Sequence, residues 1–265
     1  NAWIRGLVNP RRTARTVQLT WLRACKAVFN WAVQDARLIS RNPFADVKIR
    51  GRTPAQKRQK AFYENEQRTI LMAASAITDT VRPDDAVVRW VPWLQAYSGA
   101  RAGEITQLRG EDICEIDGIW CMRITPDAGT VKNREARLVP LHEHLIEQNF
   151  LTFVAEKGSG PLFYRERKKQ QRRAEVGNGT DASKTPAAQA RQRLAERIGE
   201  LGIPGRSEGL DRNHAWRHTF KQIAERYGMS ERISDQVTGH APTNVSRGYG
   251  RATLADLAEA LKKFP

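Results

Sequence analysis

Apolar residues recur at helical spacing near the start of the chain, at Val17, Leu19, Trp21, Leu22, Ala24, Val28, Phe29, Trp31, Ala32 and Val33. That spacing predicts an amphipathic helix from about Thr16 to Ala36, and Asn42-Pro43 breaks the chain after it. A second helix is expected over about Glu64–Ile77, with Leu71, Ala74 and Ile77 on its apolar face. A third covers Asp85–Tyr97, and a short one Ala102–Leu108. Over 112–140 the period falls from 3.6 to 2. The stretches DICEID, GIWCMRIT and ARLVPL read as three short strands, the first two joined by an Asp117-Gly118 turn. Helical patterns return at 142–156, at 187–201 and through the C-terminal third. The expected fold class is mainly α with a small three-stranded antiparallel β-sheet.

Two stretches interrupt this periodicity. Residues 47–60 (VKIRGRTPAQKRQK) are polar and basic and contain Gly51 and Pro54, which marks a linker. The expected organisation is a partial helical domain over 1–50, a linker over 51–60 and a larger domain over 61–265. Residues 164–186 are basic, contain glycine and have no period, so a mobile surface insertion is expected there.

The 265 residues allow one large domain or two smaller ones. Apolar residues make up 40%, too many for a compositionally disordered chain. No apolar run approaches the roughly 18 residues that read as a membrane helix, which excludes a helical membrane protein. Three cysteines with no CxxC pair exclude a disulfide framework and a Cys-rich zinc module. Without an initiator Met or a leader, the sequence reads as a segment of an intracellular protein, expected in a bacterial cytoplasm or nucleoid.

Charge changes the picture more than composition does. Residues 1–60 hold 14 Lys and Arg but only two acids, Asp35 and Asp46, whereas the rest of the chain has a net charge of only +3. A folded segment this basic repels itself unless a polyanion lies against it, and nucleic acid is the commonest such partner.

Candidate chemistry sits in the second segment. In Ser98-Gly99-Ala100-Arg101-Ala102-Gly103-Glu104, small residues deliver Arg101 to a helix start, where unsatisfied amides and a guanidinium suit a phosphate. Lys132 lies in the loop between the second and third strands. In His214-Ala215-Trp216-Arg217, positions i and i+3 share a helix face, so both side chains reach one small target. Thr238-Gly239-His240 is followed nine residues later by Tyr249. Each signal has a bland reading as a surface or packing residue. Their order and spacing decide.

An Arg, a hairpin Lys, HxxR, Gly-His and then a Tyr resembles the tyrosine recombinase family, which includes the phage integrases. The resemblance covers about residues 60–265 and extends weakly to 1–50, which resembles the family's core-binding domain. It implies that Arg101 and Arg217 clamp a phosphate, that Lys132 protonates the leaving 5′ oxygen and that His214 and His240 flank the reacting group. Tyr249 matches the nucleophile, and Glu104 matches an acid that orients the basic groups. The chain departs from the family pattern at Ala100, Trp216 and Val237-Thr238, none of which removes a catalytic group.

The same resemblance implies strand exchange on double-stranded DNA by a tetramer, with a monomer in the absence of DNA and accessory DNA-bending proteins as further partners. It implies no cofactor and no metal. The sequence agrees in having no GxxxxGK[ST] loop and no HExxH, and His142-Glu143-His144 is read as a helix start rather than a metal site. The stripe of Leu254, Leu257, Ala258 and Leu261 suits either a neighbouring protomer or its own subunit. Two other functions fit the same motifs: a type IB topoisomerase, and a DNA-binding protein that retains the fold without catalysis.

Overall fold

The structure is a computed structural model that describes residues 2–9, 12–50, 58–129, 135–166, 185–240 and 250–265. The chain divides into two compact units, Asn1–Gln56 and Lys57–Pro265. Most of the insertion expected at 164–186 lies outside the described residues.

In the first unit a short α1 (Ala2–Gly6) precedes one long helical run. That run begins as α2 (Ala14–Thr16), passes through a π-helical stretch (Val17–Leu22) and continues as α3 (Arg23–Gln34). Thr13 caps its start by accepting a hydrogen bond from the Thr16 amide. Ile4, Val17, Leu22 and Val47 form a small core, with Cys25 and Phe44 packed on it. Asn42 ties the following chain to the helix, donating from Nδ2 to the Lys26 carbonyl at 3.1 Å and accepting from the Phe44 amide at 2.8 Å. The helix is also apolar on its other side, where Trp21, Val28 and Trp31 are exposed. The wide apolar stripe in the sequence is therefore two faces, only one of them covered within this unit.

The second unit is built around α5 (Pro83–Ser98), which packs against α4 (Glu64–Ser75), α9 (Pro186–Glu200) and α10 (Arg212–Arg226). Pro83 at the first turn, with Asp84 and Asp85 beside it, starts α5 well, since proline loses no hydrogen bond there and acids complement the helix dipole. Its buried face of Val87, Trp90, Val91 and Leu94 shares a core with Phe150, Trp216 and Phe220. After α6 (Ala102–Ile105), shorter than the sequence pattern suggests, the chain forms β1 (Ile113–Ile116), β2 (Ile119–Ile124) and β3 (Arg137–Pro140). The sheet is antiparallel in the order β1-β2-β3. Asp117 and Gly118 both have positive φ, which the two-residue hairpin turn requires.

The single helix expected over 142–156 is two helices, α7 (Glu143–Glu147) and α8 (Phe150–Lys157). Asn149, at φ 64°, turns the chain between them. Beyond α10 lie α11 (Glu231–Thr238) and α12 (Leu254–Leu261). Leu257 and Leu261 of α12 are buried against the sheet and α11, and Phe264 stacks on Phe220 at 4.7 Å. The C-terminal stripe thus packs on its own unit.

Candidate phosphate-binding active site

The site forms where the end of α5, the start of α6, β3, α10 and the end of α11 meet. Gly99 stops α5 in the left-handed conformation, φ 57°. A Cβ there would lie 2.8 Å from Thr238 Cγ2 and 2.9 Å from Phe220 Cβ. Glycine is thus required both by the turn and by the close approach of α10 and α11. Two residues later Arg101 opens α6. Its amide donates to Glu104 Oε2 at 3.0 Å and its Nη1 to Glu104 Oε1 at 2.8 Å. Glu104 is buried and also accepts from Arg137 Nη2 at 2.7 Å. Arg137 in turn reaches the Val237 carbonyl through Nε at 3.2 Å. One carboxylate therefore locks α6, β3 and α11 together.

Arg217 on α10 is 1% exposed. Its Nη1 donates to the carbonyls of Gly99, at 3.0 Å, and Thr238, and its Nε faces His240 Nε2 at 3.3 Å. Its Nη2 is buried with no hydrogen-bond partner among the described residues. Such a nitrogen is costly unless an acceptor comes to it. Burial, followed by the charge of Arg101, pushes Arg217 down to about 10, so it stays a cation at neutral pH.

His214 lies one helical turn before Arg217, with its ring edge-on to His218 at 5.1 Å. Burial and the positive charge of its neighbours lower its pKa below the ordinary imidazole value. His240 is held down to about 4 by partial burial and by the charges of Arg217 and Lys221. Both rings are therefore neutral at physiological pH. Glu104 is the opposite case. Burial pushes its pKa up, but the Arg137 charge and the hydrogen bonds from Arg137 and Arg101 outweigh it, so Glu104 lies below the usual carboxylate range and stays ionised.

The structure thus brings Arg101, Glu104, His214, Arg217 and His240 into one neighbourhood. Lys132 and Tyr249 lie outside the described residues. Ile124 and Arg137, on either side of Lys132, are register partners in the sheet, and Arg137 belongs to the site. On either side of Tyr249, the His240 amide bonds to the Asp235 carbonyl at 2.9 Å. Ala252 exchanges two hydrogen bonds with the Gln236 side chain, at 2.8 and 2.9 Å. Both ends of that segment are fixed to α11.

The fold matches solved recombinases. An integrase from mycobacterium phage Brujita aligns with 18% identity and a TM-score of 0.51, covering 100% of this chain and 76% of that one. XerH site-specific recombinase bound to difH substrate, in a pre-cleavage complex, aligns with 17% identity and a TM-score of 0.57, covering 93% of this chain and 63% of that one. Its post-cleavage complex with a palindromic difH substrate gives 16% identity, a TM-score of 0.57 and coverages of 93% and 65%. The chain has the tyrosine recombinase fold. It spans less than two thirds of the XerH chains, and no family model and no curated protein matches it.

Within this recombinase fold, sequence reasoning missed four residues of the site: Arg137, Lys221, Asp235 and Thr238. Arg137 heads the VPL strand, and only its register against Ile124 turns it toward Glu104. Thr238 enters the sequence reading as the residue before Gly239-His240 and as a departure from the family pattern, without a role of its own. Lys221 and Asp235, on neighbouring helices, form an ion pair beside His240. His142 and His144 belong elsewhere. His142 stacks on Tyr97 at 4.0 Å and His144 Nδ1 meets the Tyr97 hydroxyl at 2.7 Å. No metal-ligand cluster occurs among the described residues, and no described helix is long and apolar enough to cross a membrane.

Proposed function

We propose that the chain is a site-specific DNA recombinase of the integrase type, cleaving and rejoining double-stranded DNA through a 3′-phosphotyrosine at Tyr249. The observation that carries this reading is Arg217: a buried guanidinium held by two carbonyls and a neutral imidazole, with Nη2 left for an acceptor, next to Arg101. Attack on a phosphodiester builds a second negative charge on the equatorial oxygens. Fixed guanidiniums in a water-poor site stabilise that charge better than mobile ammoniums do.

Each remaining residue has a place in that chemistry. Tyr249 attacks phosphorus, and the P–O5′ bond breaks. Lys132 gives its proton to the departing oxygen. His214 adds a hydrogen bond to the phosphate, and Glu104 keeps Arg101 and Arg137 in place. The phosphotyrosine ester conserves the energy of the broken bond, so rejoining needs no ATP, and the guanidiniums neutralise charge that other enzymes give to a metal. The basic first unit would grip the duplex through its phosphates, and strand exchange would take place in a tetramer.

A duplex nicked just beyond the cleavage position tests this. Wild type should become covalently attached, whereas Tyr249→Phe should bind without attaching. A wild type that binds its site tightly and never attaches would leave only a DNA-binding protein. Relaxation of supercoiled plasmid without joining of two duplexes would indicate topoisomerase chemistry instead.

A further inference from the structure

Two cysteines that take no part in the phosphate site meet on the small sheet. Cys114 of β1 and Cys121 of β2 are direct register partners, so their side chains leave the same face of the ladder. Their sulfurs lie 3.7 Å apart. Directly opposed residues of an antiparallel pair have Cα atoms about 4.5–5.5 Å apart, within the roughly 4.4–6.8 Å that a disulfide spans. Rotation about Cα–Cβ can therefore join the sulfurs while the strands stay where they are. The Asp117-Gly118 turn between the strands holds the register that sets this distance.

The two thiols are not equivalent. Cys114 is half-buried, and Arg123, two positions beyond Cys121 on β2, brings Nη2 to 3.8 Å from its sulfur. Cys121 is fully buried and donates its S–H to the Cys114 carbonyl at 3.4 Å. Burial pushes the Cys121 thiol up to about 12. Cys114 is thus the sulfur that a small oxidant reaches, beside a cation that stabilises charge on a reacting sulfur, and Cys121 is a neutral thiol waiting behind it. From this arrangement we infer that Cys114 and Cys121 are a hydroperoxide-responsive pair, in which Cys114 reacts first and the product is a reversible disulfide between β1 and β2.

The Cys114 sulfur attacks one oxygen of hydrogen peroxide. The O–O bond breaks, and the departing hydroxide leaves as water with the thiol proton. Cys114 becomes a sulfenic acid, oxidised by two electrons. The Cys121 sulfur then displaces the hydroxyl group, and its own proton departs with that group as a second water. Two thiols and one peroxide give one disulfide and two waters. Closing the bond at this stage stops Cys114 short of the sulfinic acid, which thiols do not reduce. No residue of strand transfer enters these steps, so the inference is independent of that reading.

The test uses the full chain, reduced and then exposed to hydrogen peroxide at neutral pH without DNA. Alkylation and tryptic digestion follow, and one peptide, residues 110–123, carries both sulfurs. In wild type that peptide should lose two hydrogens, take up no alkyl group and regain both thiols in dithiothreitol. Cys25→Ser should change none of this. Cys121→Ala should hold Cys114 as a sulfenic acid that dimedone traps and that goes on to a form dithiothreitol does not reduce. In Cys114→Ser, Cys121 should oxidise at least about 10-fold more slowly than Cys114 does in wild type. Arg123→Gln should slow disulfide formation by about 3-fold to 10-fold. The inference is overturned if both wild-type thiols still alkylate at peroxide concentrations that oxidise free cysteine. A cross-link between two chains in place of one between the strands, seen as a dimer on a non-reducing gel, overturns it as well. Oxidation of Cys121 in Cys114→Ser as fast as that of wild-type Cys114 removes the order of attack, and the inference with it.

Discussion

Arg217 cannot be replaced by another cation. Its Nη1 satisfies two carbonyls, its Nε meets an imidazole and its Nη2 is left over, whereas an ammonium has no planar fork to span those directions. Arg217→Lys should therefore reduce covalent attachment by about 100-fold or more, the usual cost of losing an oxyanion donor. Single-turnover kinetics on the nicked duplex would check this. Glu104 makes a different kind of prediction. Removing its charge leaves Arg101 and Arg137 facing each other near a buried amide, and breaking a buried pair from one side costs about 3 kcal/mol or more. Glu104→Gln should lower stability to urea by about that amount at neutral pH. Because the folded carboxyl titrates below its unfolded value, its stabilisation is present above the unfolded pKa. It is lost as pH falls through the folded one. Wild type and variant should therefore converge in stability at acid pH. At this scale the sequence was most informative for the pairs Arg101–Glu104 and His214–Arg217, each spaced three residues apart, and for His240, which the order of motifs along the chain adds to them. Arg137 and Asp235 were silent because their partners are brought to them by strand register and helix packing, which no local spacing encodes.

At the scale of elements, the site depends on where helices stop. Gly99 ends α5 against Thr238 and Phe220, so Gly99→Ala combines a left-handed backbone with an overpacked contact. Those two effects together should cost about 2–4 kcal/mol of stability, measured by chemical denaturation. The strands and the Asp117-Gly118 turn could be read because their period and turn chemistry agree. The break between α7 and α8 could not, because Leu145, Phe150 and Phe153 keep a helical apolar rhythm across it. Only Asn149, a residue that tolerates positive φ, marks the place. The π-helical stretch at Val17–Leu22 likewise leaves the apolar pattern intact. Within it Trp21 is exposed while Leu22 is buried.

For the whole molecule, charge is the property that a sequence states outright, and its uneven distribution set the first unit apart before any motif was considered. If that unit tracks a duplex through phosphates, affinity must fall steeply with salt, since each neutralised phosphate releases counterions. For about 6–10 such contacts, binding measured by fluorescence anisotropy should weaken by about 10³–10⁵-fold between 50 and 200 mM salt. A shallow dependence would mean that the basic surface serves another purpose.

The cation network around Arg217 has one further consequence. Among the described residues, Arg101, Arg137, Arg217 and Lys221 share two carboxylates, Glu104 and Asp235. Two positive charges are thus left over, the same number as the negative charges on a pentacoordinate phosphorus. Any oxyanion that settles there offsets the repulsion among these cations, so sulfate or vanadate should raise the melting temperature in a saturable way. The protein would then be at its sturdiest while gripping the bond it is about to cut.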